Sequence, residues 1–375
     1  MPAADRSPLR LALGRGGRVT IRQVAEAADV SIATVSRAMR GSSTVRADLA
    51  DRVRVAAAEL GYRPNPAAQG LATGVTRMIG VVVPTLANPY FDDVIKSLNA
   101  AASAAGYRML VADANEDPDE ELELSHGLLR QVDALVLVSP RMPVNALRIL
   151  EDEARPVVVV NRAADGVGLP FVAVDTYAAM AAICGHLGSL GHTDVAYLAG
   201  PAGSWPQQER WRAITAAGEA GLRVTAVPAG SSIEAGYAAL GTALAGDPTA
   251  VMCFNDLVAI GALSRLAELG IDAPREMSVT GFDDIAFARF VRPPLTTAAS
   301  PQAELGRQAW SLVAQVLAGN RPTAPAPLPA PLIIRESTAA PRERTGEHGR
   351  GRDPGRGSRE GTGSVHRSPG TMPGD

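Results

Sequence analysis

Along the 375 residues the hydrophobic positions fall into two textures. From Met78 onward, short unbroken apolar runs alternate with stretches of helical spacing: IGVVVP, MLVAD, ALVLVSP, VVVVN, VAYLAG, AVMCFND and MSVTGFDD. Such runs of Val, Ile and Leu, without polar alternation, predict parallel strands covered on both faces. Between them, FDDVIKSLNAAASAAG places Phe91, Val94, Ile95, Leu98 and Ala102 on one helical face, and Gly106 ends it. The alternation predicts doubly wound α/β layers, which bind ligands beyond the C-terminal ends of their strands.

Residues 20–72 show short helical patterns and no strand-like run. Ile21, Val24, Ala25 and Ala28 make one face of a helix capped by the Thr20 hydroxyl, and Asp29 and Val30 break the period. Ser31 caps a second helix, Ile32 to Met39, with Val35 and Met39 pointing inward. A third, about Ala47 to Leu60, buries Leu49, Val53, Ala56 or Ala57, and Leu60. Three short helices with a tight turn between the first two predict a small all-α helix-turn-helix head. The outward face of the second helix carries Ile32, Ala33, Ser36, Arg37 and Arg40. Ile32 and Ala33 sit at the end that meets base edges, and Arg37 is placed to fork onto a guanine. Thr34, Ser36, Arg22 and Arg40 are the phosphate candidates. The competing reading is a helical protein-docking module.

Charge separates the two textures further. Residues 1–76 carry 11 Arg and no Lys against 6 acids, whereas residues 77–340 carry 18 basic against 28 acidic residues. A basic head on an acidic body predicts that only the head meets a polyanion. Residues 1–18 read as a mobile arm, and residues 339–375, rich in Gly, Pro, Ser and Arg, as a disordered tail. No apolar run is long enough for a membrane helix and the N-terminus lacks signal-peptide features, which predicts a cytoplasmic protein. Cys184 and Cys253 lie far apart in apolar surroundings and read as buried thiols.

The segment VTIRQVAEAADVSIATVSRAMRGSSTV, followed by RVRVAAAELGYRPNPAAQGL, resembles the DNA-binding head of the lactose and galactose repressor (LacI/GalR) family of bacterial transcription regulators. The resemblance implies operator reading through Ile32, Ala33 and Arg37, with Thr20, Ser31 and Asn65 among the DNA-contacting positions. It also implies a hinge helix in residues 64–76 that folds on DNA and wedges Leu71, beside Ala68, into the minor groove. A plain linker is the alternative there. Asp29 stands where the family's turn usually has Gly, Arg40 replaces a usual Asn, and Arg46, Leu49 and Ala50 depart from the family pattern around the third helix.

The resemblance continues to about Thr338 and implies a periplasmic-binding-protein-like core of two doubly wound lobes. One lobe would take about 77–161 and 302–320, the other about 173–298 and 326–338, with residues 19–63 as the head and 77–338 as the effector-binding and dimerisation domain. Polar pairs stand where strands end: Asn161-Arg162, Asn255-Asp256 and Asp283-Asp284. Arg210 aligns with the family's effector-holding arginine. Tyr90, Phe91, Trp205 and Phe254 offer an apolar wall, with Phe282 as a further aromatic. Amides, carboxylate and guanidinium converging from separate strand ends suit a polyhydroxyl ligand, so a sugar or sugar derivative is the expected effector. Phe91 and Phe282 read equally as core, and Asp256 and Asp284 equally as helix caps. His186 and His192 read as surface or packing residues.

The chain lacks GxxxxGK[ST], HExxH, GxSxG and paired CxxC, and its acidic pairs are sequence neighbours, too close to face each other across a glycoside. No enzyme activity and no cofactor are expected. The expected partners are a near-palindromic double-stranded operator, the effector and a second copy of the chain, with no membrane. A sugar-binding clamp of the periplasmic type and a ligand-independent architectural regulator are the alternatives.

Overall fold

The computed structural model describes residues 19–63, 74–163 and 166–342. The expected N-terminal arm, the hinge positions Asn65, Ala68 and Leu71, and all of the expected tail beyond Arg342 lie outside the described residues.

Three helices build the head: α1 (Ile21–Ala27), α2 (Ile32–Met39) and α3 (Ala47–Leu60). Val24, Ala25, Ala28, Val35, Ala38, Val53, Ala56 and Ala57 are buried together. Two expectations are corrected. Ala50, not Leu49, is the buried residue of the first turn of α3, and Ala38 takes the inward place expected of Met39, which packs only at the edge. Small residues fill these places because short helices crossing closely leave no room for longer ones. Asp29 sits in the left-handed region at φ 48° and turns the chain between α1 and α2. Gly61, at φ 67°, ends α3.

The body contains two parallel sheets. The first has the order β2-β1-β3-β4-β5, from β1 (Met78–Val83), β2 (Arg108–Asp113), β3 (Ala134–Val138), β4 (Val157–Val160) and β5 (Phe171–Val172). Its helices are α4 (Tyr90–Ala104), α5 (Pro118–Leu129), α6 (Val144–Glu151) and, from far along the chain, α11 (Gln302–Leu317). The second has the order β7-β6-β8-β9, from β6 (Asp194–Ala199), β7 (Arg223–Pro228), β8 (Ala250–Cys253) and β9 (Ser278–Thr280), with α7 (Thr176–Ser189), α8 (Trp205–Glu219), α9 (Ile233–Leu244) and α10 (Asp256–Glu268). The apolar runs read from the sequence are β1 to β4, β6, β8 and β9. Strand β7 was hidden because it is an edge strand whose side chains are mostly exposed, and β5 is only two residues long.

Three chain segments join the lobes side by side. Leu328 N–H donates to Ala173 O and Asp175 N–H to Leu328 O, while β10 (Thr297–Ala298) pairs antiparallel with β11 (Leu332–Ile333). Helix α11 returns to the first lobe and packs on α4, where a side chain at Gly306 would collide with Val94 O and Ser97. The start of β1 is fixed by buried Asp133, whose carboxylate accepts from the backbone N–H groups of Thr76 (2.8 Å) and Arg77 (2.9 Å). The chain remains held to Ala339, whose carbonyl accepts from His192 Nε2 and Ser278 Oγ.

Candidate functional site

Two regions carry the candidate residues. In the head, Ser31 Oγ accepts from Thr34 N–H at 3.1 Å and so starts α2. Thr20 caps α1 in a reciprocal box with Gln23, whose Oε1 accepts from both the N–H and the hydroxyl of Thr20, at 2.8 and 3.1 Å. On α2, Ile32, Ala33 and Arg37 are exposed and Ser36 is half-buried. Arg22 and Arg40 are also exposed, but Arg40 Nε donates to Ser36 O, and the Thr34 hydroxyl bonds that of Ser31. The outermost face of α2 is thus two apolar side chains and one guanidinium unconstrained among the described residues. Arg52 reaches back to Ala28 O and closes the C-terminal end of α1.

The second region is the cleft between the lobes, at the C-terminal ends of the strands. Tyr90, Phe91, Asn161, Arg210, Phe254, Asn255 and Asp283 all line it. Trp205 does not, although its neighbours Ser204 and Pro206 do. Ser204 reaches the cavity as the extended N-cap of α8 and Pro206 from its first turn, while Trp205 is half-buried outside it. Asn88, Ser139, Arg141 and Ser231 also line the cleft. Ser139 carried the same strand-end signal as Asn161, directly after β3, and went unread, whereas Asn88, Arg141 and Ser231 stand further out on loops and are assembled only when the lobes meet. The cavity volume is about 30 Å³, well below the roughly 300–1,000 Å³ of a ligand pocket, so the lobes stand nearly shut.

Arg210 is the electrostatic centre. Its guanidinium lies 3.7 Å from the centroid of the Phe282 ring and 4.5 Å from that of Phe254, donates to Phe254 O, and approaches Asp283 Oδ1 to 3.8 Å. Its Nε is buried without a partner among the described residues, as is Tyr90 Oη. Burial lowers the Arg210 pKa and raises those of Tyr90 and Asp283, the last to about 7, with Arg210 opposing the Asp283 shift. Asp283 is held at φ 115° and Asp284 at φ 53°, both costly for residues with a Cβ.

The polar pairs at strand ends divide their work. Asn255, not Asp256, caps α10: its Oδ1 accepts from Val258 N–H and its Nδ2 donates to Ser231 O. Asp256 is fully buried and accepts from Ile285 N–H and the Thr297 hydroxyl, which fastens the loop that presents Asp283. Burial raises its pKa well above the usual carboxylate range. Asp284 turns to Arg335 and Arg289 instead of capping a helix. Arg162 is spent on Pro140 O and Met142 O, whereas Asn161 Nδ2 donates to the Ser139 hydroxyl at the cleft. Phe282 is core on one side and the seat of Arg210 on the other.

Elsewhere, His192 is buried among Thr249, Ser278 and Ala339, and His186 bonds Thr338. Both cysteines are free and buried, and burial pushes the Cys184 thiol up to about 12. Among the described residues no three His, Cys, Asp or Glu side chains group as a metal site requires, and no helix is long and apolar enough to cross a membrane.

Two family patterns match the chain: "Bacterial regulatory proteins, lacI family" over residues 20–65 and "Periplasmic binding protein-like domain" over residues 184–338. The HTH-type transcriptional repressor CytR of Escherichia coli strain K12 is 33% identical over 329 residues, 86% of this chain and 96% of that protein. The HTH-type transcriptional regulator GalR of the same strain is 34% identical over 312 residues, 81% and 90% of the two chains. Among solved structures, the lac repressor dimer bound to operator and the anti-inducer ONPF superposes with a TM-score of 0.77 at 27% identity, over 86% of this chain and all of that one. The transcriptional regulator CelR–cellobiose complex matches at a TM-score of 0.63 and 27% identity, over 85% of this chain and all of that one. With this extent of identity to CytR spanning head and clamp alike, the chain belongs to the lacI family of bacterial regulatory proteins.

Proposed function

We propose that this protein is a cytoplasmic, homodimeric transcriptional regulator, acting as a repressor, whose head reads a near-palindromic operator and whose cleft closes on a sugar or sugar derivative. Residues 19–63 read DNA, residues 64–76 connect, and residues 77–338 clamp the effector and dimerise. The relatives support this division: the lac repressor was captured on operator DNA as a dimer, and CelR with cellobiose. The relatives act as regulators and not as enzymes, which supports a binding role for the cleft.

One observation carries the effector reading. Arg210 Nε and Tyr90 Oη are buried at the cleft with unmet hydrogen-bonding capacity, beside the Asp283 carboxylate. A buried polar atom without a partner costs about 1–3 kcal/mol, and a hydroxyl-rich ligand both gives and accepts the bonds they lack. Effector and operator are then coupled reciprocally through opening and closing of the lobes.

The test is thermal unfolding of the full chain against a panel containing D-ribose, D-galactose and cellobiose at millimolar concentration. A clamp ligand raises Tm progressively with its concentration. A flat response to every sugar overturns the sugar reading and favours an effector of another class or a ligand-independent regulator.

A further inference from the structure

Glu116 does not line the cleft, yet it is aimed at its mouth by a loop under strain. Asn115 and Glu116 occupy the left-handed region consecutively, at φ 50° and 60°. Neither is glycine, so the loop holds this shape only because its surroundings over-determine it. Asp113 Oδ1 accepts from Asn115 N–H (2.8 Å), Asp113 Oδ2 from Leu86 N–H (2.9 Å), and Glu116 N–H donates to Pro84 O (2.6 Å).

The carboxylate placed there has two partners. Glu116 Oε2 accepts from Arg141 Nε at 2.9 Å within the first lobe, and Glu116 Oε1 accepts from the Ser231 hydroxyl of the second lobe, also at 2.9 Å. The second bond crosses between the lobes at the cleft mouth, away from the three connecting segments. Both ends are anchored. Glu121 Oε2 accepts from Arg141 N–H at 2.8 Å, and Ser231 O accepts from Asn255 Nδ2 at 2.9 Å. The Arg141 side chain is almost wholly buried and that of Glu116 about one quarter exposed, so the pair is shielded far better than a surface ion pair.

We propose that Glu116 is a latch: a positioning residue that sets the balance between closed and open lobes through Ser231, and thereby effector affinity, without touching the effector. The proposal rests on the clamp reading above but not on the identity of the effector. A latch fixes affinity through the fraction of molecules in the binding-competent state, a route open to any ligand that favours closure.

The test is ligand-free and separates this proposal from the effector reading. Ala87 and Ala202 are exposed on loops of the two lobes at the cleft, and Cys184 and Cys253 are buried. The full chain carrying A87C and A202C is spin-labelled, and the interlobe distance distribution is measured by double electron–electron resonance. Ser231→Ala is expected to lower the closed-to-open ratio about fivefold and Glu116→Ala at least as much, with the double variant no lower than Glu116→Ala alone. Glu116→Gln retains the acceptor for Ser231 and is expected to stay closer to the parent. Ser231→Ala removes one hydroxyl from a half-buried loop residue and leaves its backbone carbonyl on Asn255, so it remains informative even if Glu116→Ala folds poorly. Unchanged distributions in Ser231→Ala, or effects of the two substitutions that simply add, overturn the latch.

Discussion

Arg210 and Asp283 face each other across 3.8 Å, too long for a direct hydrogen bond, while both are buried and the arginine stacks on Phe282. A bidentate ion pair would have consumed the polar capacity of both groups. This looser pairing leaves Arg210 Nε and part of the Asp283 carboxylate available to a ligand. Asp283→Asn is therefore expected to fold normally and to lose about ten- to hundredfold in effector affinity, the scale of one charge-assisted bond. Ligand-dependent Tm shifts read this, and an unaltered shift in the variant removes Asp283 from the site.

Glu121 and Asp283 make stability depend on pH in an unusual direction. Burial raises Glu121 from 4.5 to about 7 and Asp283 from 3.8 to about 7. A folded pKa above the unfolded one means that the contribution is complete below the unfolded value and is lost as pH rises through the folded one. His192 and His186 act oppositely, because burial lowers their pKa values below 6.5, so their contribution grows as pH rises. A difference measurement isolates the carboxyl. Between pH 5 and 8 the unfolding free energy of Glu121→Gln should gain about 2–3 kcal/mol on the parent chain. Parallel pH profiles in denaturant titrations would show Glu121 titrating normally.

How much of this was legible in the sequence follows from what each residue type announces alone. Unbroken runs such as VVVV at 157–160 and AVMC at 250–253 pointed to buried strands because they are short and closely bounded by polar or turn residues, whereas the longer run at 257–263 is buried helix. Edge strand β7 did not, since RVTAVP mixes exposed polar and apolar positions. At the cleft, Asn161, Asn255 and Asp283 were visible because they end such runs. Ser139 ends such a run too and was overlooked, whereas Arg141 and Ser231 were not visible, since no local pattern tells that loops from two lobes converge. Trp205 stands next to the cleft in sequence, between Ser204 and Pro206, but outside the lining of this cavity.

Helices α9 and α10 approach closely enough for one glycine to matter and another not to. A Cβ on Gly236 would lie 2.1 Å from Val258 O, a backbone atom that cannot yield, whereas one on Gly241 meets nothing within 4 Å. Both glycines lie on the same helix. Gly236→Ala should destabilise the chain by about 3 kcal/mol or more through forced separation of the helices. Gly241→Ala should stabilise it by about 0.5–1 kcal/mol through helix propensity alone. Chemical denaturation of the two variants reads the opposite signs, and equal effects would mean that the helices are not in backbone contact.

On α2, Arg37 and Arg40 differ in freedom although both are exposed. Arg40 Nε is tied to Ser36 O, whereas Arg37 stands one turn beyond Ile32 and Ala33 with its guanidinium unconstrained among the described residues. A fork onto a guanine edge needs that freedom, and a phosphate contact does not need a particular base. Arg37→Ala is expected to cost about 1–3 kcal/mol on an operator enriched from random duplexes, with a much smaller loss on scrambled DNA and relaxed preference at one base pair. Arg40→Ala should weaken both duplexes alike and lower the salt slope by about one unit. Fluorescence anisotropy with both duplexes, at about 50 and 200 mM salt, distinguishes the two roles. If Arg37→Ala also weakened both duplexes equally, Arg37 would be a phosphate contact, and base reading would fall to Ile32, Ala33 and positions outside α2.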